Sequence, residues 1–127
     1  MPLQDLLKYD EKGYVPTVIT DAETNEPLVV CFLNRDAVAK TVETGLVHVF
    51  RRSQNKLMVK GISSGHVQKV VDILVNCDGN SLAIKVEQKV ACCHAGYYSC
   101  YYRRYDPETD SLVTIAEPVF DPDDVYK

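Results

Sequence analysis

The chain of 127 residues has no tryptophan, only two methionines and six glycines, and no apolar run longer than a strand. Its longest apolar stretches, such as Pro27 to Leu33 and Val70 to Val75, fall far short of the roughly 20 residues a membrane helix needs, so no membrane span is expected. At the N-terminus, MPLQDLLKYDEKG carries acids where a secretory signal needs a basic segment followed by an apolar one. With no N-x-S/T sequon either, the expectation is a cytoplasmic protein whose thiols stay reduced. There is no internal repeat, no low-complexity run and no linker inside positions 13 to 117, which argues against solenoids and multidomain arrangements. We expect an N-terminal segment over 1–12, one domain over 13–105, and a hairpin return with an acidic C-terminal tail over 106–127.

Acids are also missing from one long internal stretch. None occurs between Glu43 and Asp72, whereas Arg51, Arg52, Lys56, Lys60 and Lys69 all fall there, with His48 and His66 among them. The stretch is either an anion site or a solvated face whose counter-charges come from elsewhere in the fold. The formal charge is −4, of which residues 106–127 contribute −6, leaving a body of +2. An acidic total, with no aromatics interleaved among the basic residues, argues against nucleic acid as a partner.

What is present has the usual balance of a globular domain, 46% hydrophobic and 25% charged. Pro27 to Leu33 reads as a buried strand. Asn34 then offers an N-cap for a helix through Thr44, with Ala37, Val38, Thr41 and Val42 on one face and Gly45 at C′. Leu46 to Arg52 alternates as a strand, Ser53 to Lys56 reads as a turn, Leu57 to Lys60 as a short strand and residues 62–66 as a loop. Val67, Val71, Ile73, Val75 and Cys77 share a face at period two, and Asp78-Gly79 turns the chain into Ser81 to Gln88. Tyr98 to Tyr105 pairs across DPETD with Ser111 to Ala116. The class is α+β, a mostly antiparallel sheet with one helix.

The five cysteines form no CxxC pair, so spacing alone does not point to zinc. Cys31, inside an apolar strand, reads as a small buried hydrophobe. Cys77 closes a strand beside Asp78, where a side chain is exposed. Cys92, Cys93, His94 and Cys100 crowd into nine residues, either as a metal or catalytic cluster or as a cysteine-rich core edge. The HxE and PCxxC signatures of a zinc base deaminase are both missing. His48 reads as a packed or surface histidine, and the tyrosines from Tyr97 to Tyr105 as strand and interface packing.

SGHVQKVVDI, then CDGNSLAIKVEQ, then ACCHAGYYSCYYR, preceded by VVCFLNRDAVAKTVETGLVHVFRRSQNKLMVKG, resemble phosphoribosyl-AMP cyclohydrolase in unbroken order over about residues 15–105. The resemblance implies an intertwined homodimer with active sites at the subunit interface. Each zinc would take one cysteine from one chain and two from the other, here Cys77 and the second chain's Cys93 and Cys100. The latter pair fits the family pattern CHxGxxSC, with His94 as the base. The interval from Cys77 to Cys93 is one residue shorter than the family's, which keeps Cys92 as the alternative ligand. The reaction implied is zinc-dependent hydrolysis of the N1–C6 bond of the purine ring of phosphoribosyl-AMP, in histidine biosynthesis. Three thiolates with one open position is the arrangement of a catalytic zinc rather than a structural one.

By the same resemblance, Arg52, Ser53, Lys60, Ser63, Ser64, Gly65 and His66 match the substrate-binding regions WSRSR and KGETSGH. The chain departs from the family at Gln54, Met58 and Ile62, each loss removing a polar or stacking contact. The largest departure is at the family's magnesium pattern DCDxD, which here reads NCDGN. Only Asp78 keeps its carboxylate, while Asn76 and Asn80 carry amides, so weak or absent magnesium binding is expected. The alternative to a hydrolase is a non-catalytic, zinc-stabilised dimer that binds nucleotides or another partner.

Overall fold

A computed structural model describes residues 2–51, 56–60, 67–88 and 96–119. Its elements are α1 (Leu3–Leu6), β1 (Tyr14–Asp21), β2 (Pro27–Asn34), α2 (Arg35–Thr44), β3 (His48–Arg51), β4 (Lys56–Val59), β5 (Gln68–Val75), β6 (Leu82–Gln88), β7 (Arg103–Asp106) and β8 (Ser111–Thr114). One four-stranded sheet has the order β2-β1-β6-β5, and β3-β4 and β7-β8 form two-stranded sheets. The α+β class with mainly antiparallel pairing is thus the fold observed. The exception is β1 against β6, which run parallel from Thr17–Leu82 to Asp21–Val86.

The helix begins and ends where Asn34 and Gly45 place it. Asn34 accepts from the Ala37 amide at 2.8 Å, and Gly45 takes φ +76°, a left-handed cap that donates to the Thr41 carbonyl. Its inner face, Ala37, Val38 and Thr41, is buried. Thr41 Oγ1 also accepts from the His48 amide at 3.0 Å, which ties α2 to β3 and leaves His48 7% exposed as a packed histidine. A second, single-turn helix, α1, is fastened to α2 by an ion pair between Asp5 and Arg35.

β1, to which the sequence reading assigns no element, is a central strand. Val15, Thr17 and Ile19 are buried, and Tyr14, Pro16 and Val18 alternate with them. Pro16 is tolerated because the ladder to β6 starts only at Thr17. The core joins Val15, Ile19, Leu28, Leu33, Val38, Val47, Leu82, Ile84 and Val86. Truncating one of its largest members, as in Ile19→Ala, would cost about 2–5 kcal/mol.

The face expected along β5 is interrupted. The register against β6 shifts between Val70 and Asp72, and this bulge puts Val70 and Ile73 against the core. Val71 and Val75 are exposed instead. Tyr98 to Tyr102 also differ from the expectation, lying outside the strand that begins at Arg103. Leu46 makes only an isolated bridge, to Lys69. On the outward face of the sheet, Val30, Val18, Ala83 and Leu74 stand in register across all four strands, with Phe32 beside them; Val30, Phe32 and Leu74 are exposed. The proposed loop at 62–66, most of the turn at 53–56 and the tail from 120 onward lie outside the described residues.

Candidate active site

Cys77 and Asp78 stand on the turn from β5 into β6, which Asn76 braces from within. Asn76 Oδ1 accepts from the amides of Asn80 at 2.9 Å and Ser81 at 3.0 Å, and Asn76 Nδ2 donates to Asn80 Oδ1 at 2.6 Å. Gly79 supplies the left-handed residue the turn requires, at φ +71°, and its carbonyl accepts from the Lys8 amide at 2.8 Å. Cys77, Asp78 and Asn80 are exposed. Asp78 and Asn80 edge a cleft of about 500 Å³ whose other wall includes Tyr14 and Phe32. A second cleft, of about 620 Å³, shares Asp10, Tyr14 and Phe32 with it and continues to Cys31 and Phe50.

Cys100 belongs to a different part of the molecule. Its amide donates to the Leu28 carbonyl at 2.7 Å, at the start of β2. Ser99 Oγ donates to the neighbouring Pro27 carbonyl, and Tyr98 Oη donates to Asp21 Oδ2 at the end of β1. That hydrogen bond, reinforced by the amides of Glu23 and Thr24, holds the Asp21 carboxyl below its ordinary range against a smaller opposing effect of burial. Burial first, and then the Asp21 contact, push the Tyr98 phenol well above its own. Cys31 faces the core opposite Thr17. Burial raises its thiol to about 11, with Lys60 opposing and Cys100 adding to the shift.

The strand register separates the two exposed thiols. The turn bearing Cys77 overhangs the end of the sheet beyond the Val75–Leu82 pair, level with Thr17 and the residues before it. Cys100 is bonded to Leu28, level with Ile19 and Thr20 at the other end. Among the described residues, no three His, Cys, Asp or Glu side chains gather closely enough to hold a metal ion. As donors the thiols suit zinc, being exposed and carried on backbone that is hydrogen-bonded in place. The NCDGN turn does not suit magnesium. Both of its amide oxygens are engaged inside the turn, and Asp78 is its only carboxylate.

The sequence profile of the family described as phosphoribosyl-AMP cyclohydrolase matches residues 29–102. Among curated relatives, the phosphoribosyl-AMP cyclohydrolase of Methanococcoides burtonii is 43% identical over 96% of this chain and 97% of its own. The chain belongs to the phosphoribosyl-AMP cyclohydrolase family. The family's enzyme from Methanothermobacter thermautotrophicus is 48% identical over 86% of this chain and 79% of its own. A histidine biosynthesis bifunctional protein, HisIE, of Thermoanaerobacter pseudethanolicus is 43% identical over 95% of this chain, which spans 55% of that protein.

Of the residues that match the cyclohydrolase motifs, Asn76, Cys77, Asp78 and Asn80 share the β5–β6 turn, while Lys60 follows β4 and Cys100 sits at the start of β2. Arg52, Ser53, Ser63, Ser64, Gly65, His66, Cys92, Cys93 and His94 lie outside the described residues. Asp21 and Tyr98, which hold the Cys100 segment, were not singled out together from the sequence. They are 77 positions apart, and no local pattern joins them.

Proposed function

We propose that this chain is a phosphoribosyl-AMP cyclohydrolase of histidine biosynthesis, a hydrolase that opens the N1–C6 bond of the purine ring with the help of zinc held between two copies of the chain. The reaction class rests on family membership across nearly the whole length. The observation that carries the two-chain site is the placement of Cys77 and Cys100 at opposite ends of the sheet, since a shared ion then draws on a second copy. The outward apolar row of Val30, Val18, Ala83 and Leu74, with Phe32, is surface that a second copy would bury.

In this reading Cys77 of one chain and Cys93 and Cys100 of the other hold the zinc, with Cys92 the alternative to Cys93. When bound there, the ion would supply Lewis acidity. With three thiolates the zinc-loaded site would carry a formal charge of −1 and would be a weaker Lewis acid than one with three neutral imidazoles, so a protein base is needed. His94 has that role. Its imidazole nitrogen accepts a proton from the attacking water. The oxygen bonds to C6, the N1–C6 bond breaks, and the proton passes to N1. Lys60 with Arg52, Ser53, Ser63, Ser64, Gly65 and His66 binds the phosphates, which gives the acid-free stretch its purpose. No step is assigned to magnesium. The compartment expected for this pathway is the cytoplasm, and no described helix is long and apolar enough to cross a membrane.

Incubation with phosphoribosyl-AMP, followed by the ultraviolet change on ring opening, tests the proposal. Turnover is expected, and His94→Ala should lower it by about 100-fold or more without removing zinc. Nucleotide binding without turnover would establish the non-catalytic dimer instead.

A further inference from the structure

The segment Gly96–Tyr102 carries a proposed metal thiol yet belongs to no helix or strand. It is nevertheless tied down at almost every residue. Tyr97 and Tyr102 stack with ring centroids 3.8 Å apart and planes 4° from parallel, which draws its ends together, and Arg103 lies 5.5 Å from the Tyr102 ring centre. Between them, Tyr98 is bonded to Asp21, Ser99 to Pro27 and Cys100 to Leu28, and the Tyr101 amide closes on Ser99 Oγ at 2.9 Å. Three of these ties reach the same end of the sheet.

Asp21 occupies a junction there. Its Oδ1 accepts from the amides of Glu23 at 2.8 Å and Thr24 at 3.2 Å, shaping the turn into β2, while its Oδ2 takes the Tyr98 hydroxyl. The next residue, Ala22, donates to the Val86 carbonyl at 2.9 Å. That bond fixes the same turn to the end of β6, where the chain departs for the stretch holding Cys93 and His94. The Asp21 carboxylate thus joins the Tyr98 hydroxyl, two residues before Cys100, to a turn whose own backbone is hydrogen-bonded to β6.

We propose that Asp21, acting through the Tyr98 hydroxyl, is a positioning residue that sets the presentation of Cys100 to the shared metal. This rests on the zinc reading given above. Groups one step behind the ligands govern how well ligands are oriented, and losing one commonly weakens metal binding by about 10–100-fold.

Tyr98→Phe is the discriminating variant, because it removes one hydroxyl and leaves both the ring and the turn bonds of Asp21 in place. Zinc affinity, measured by chelator competition on the intact protein, should fall by about 10–100-fold. In the cobalt-substituted protein the thiolate-to-metal charge-transfer band should shift or weaken. Asp21→Ala should reproduce both effects, and Asp21→Asn, which retains a polar partner, should recover part of them. Tyr105→Phe, which breaks a comparable tyrosine–aspartate bond of 2.8 Å to Asp110 in the β7–β8 hairpin, should change neither. Wild-type affinity and an unaltered spectrum in Tyr98→Phe would overturn the assignment of Asp21. If the unsubstituted protein binds neither zinc nor cobalt, the zinc reading itself fails, a result distinct from equal binding by wild type and variant.

Discussion

Asn76 and Asn80 are bonded to each other across the β5–β6 turn, the side-chain amide of the first donating to the side-chain oxygen of the second over 2.6 Å. Their neighbour Asp78 is thereby left as the one carboxylate of a turn in which the family pattern has three. Two carboxylates at these positions would repel each other unless a cation lay between them. Two amides need none, and they close the turn directly.

Activity should therefore be flat against magnesium concentration when zinc is saturating. Half-saturation at about micromolar magnesium would contradict this, since one carboxylate with engaged amide oxygens does not make a tight site for a hard cation. The double substitution Asn76→Asp with Asn80→Asp should have the opposite character. It removes an amide donor and adds two like charges, so thermal stability in the absence of divalent ions should fall by about 1 kcal/mol, and magnesium should restore it.

A second expectation concerns Cys31. Its half-buried thiol is raised from 9.0 to about 11, chiefly by burial, so it remains protonated at neutral pH. In metal-free protein at about pH 8, alkylation followed by mass spectrometry should find Cys31 modified much more slowly than the exposed Cys77. The sign for stability follows from linkage. Below the unfolded value both states keep the proton and the contribution is whole; as pH rises from about 9 to about 11 the unfolded chain releases it first and stability declines. Cys31→Ala should flatten that part of the denaturation profile. Equal alkylation rates at the two cysteines would count against the burial.

A third expectation is local. Asn34→Ala removes the bond to the Ala37 amide that starts α2, and should cost about 1 kcal/mol in urea denaturation without altering metal content. A loss of zinc in the same variant would mean that α2 reaches the site in a way its packing does not suggest.

Legibility in the sequence followed the range of the forces involved. The bounds of α2 came from Asn34 and Gly45, residues that act within one turn of helix, and the β5–β6 hairpin came from Asp78-Gly79. β1 escaped notice because Pro16 and the apolar, outward Val18 blur its alternation, and because its parallel partner β6 begins more than 60 positions later. The bulge at Val71 was invisible for a related reason: period two specifies a face only while the register holds, and the register is set by pairing with β6. The motif residues were readable by resemblance. The separation of Cys77 from Cys100 was not, since it depends on how β1 aligns β2 with β6.

That separation yields the sharpest expectation. Cys77→Ser and Cys100→Ser should each abolish activity, because every site would lack one thiol. Mixed after unfolding and refolding together, they should recover about a quarter of the wild-type rate: half of randomly paired dimers are mixed, and each mixed dimer has one site assembled from the intact Cys77 of one chain and the intact Cys100 of the other. A site formed within a single chain would recover nothing, since neither variant can supply both thiols. A site that draws Cys77 and Cys100 from different chains, as proposed, thus predicts how much activity two inactive chains restore.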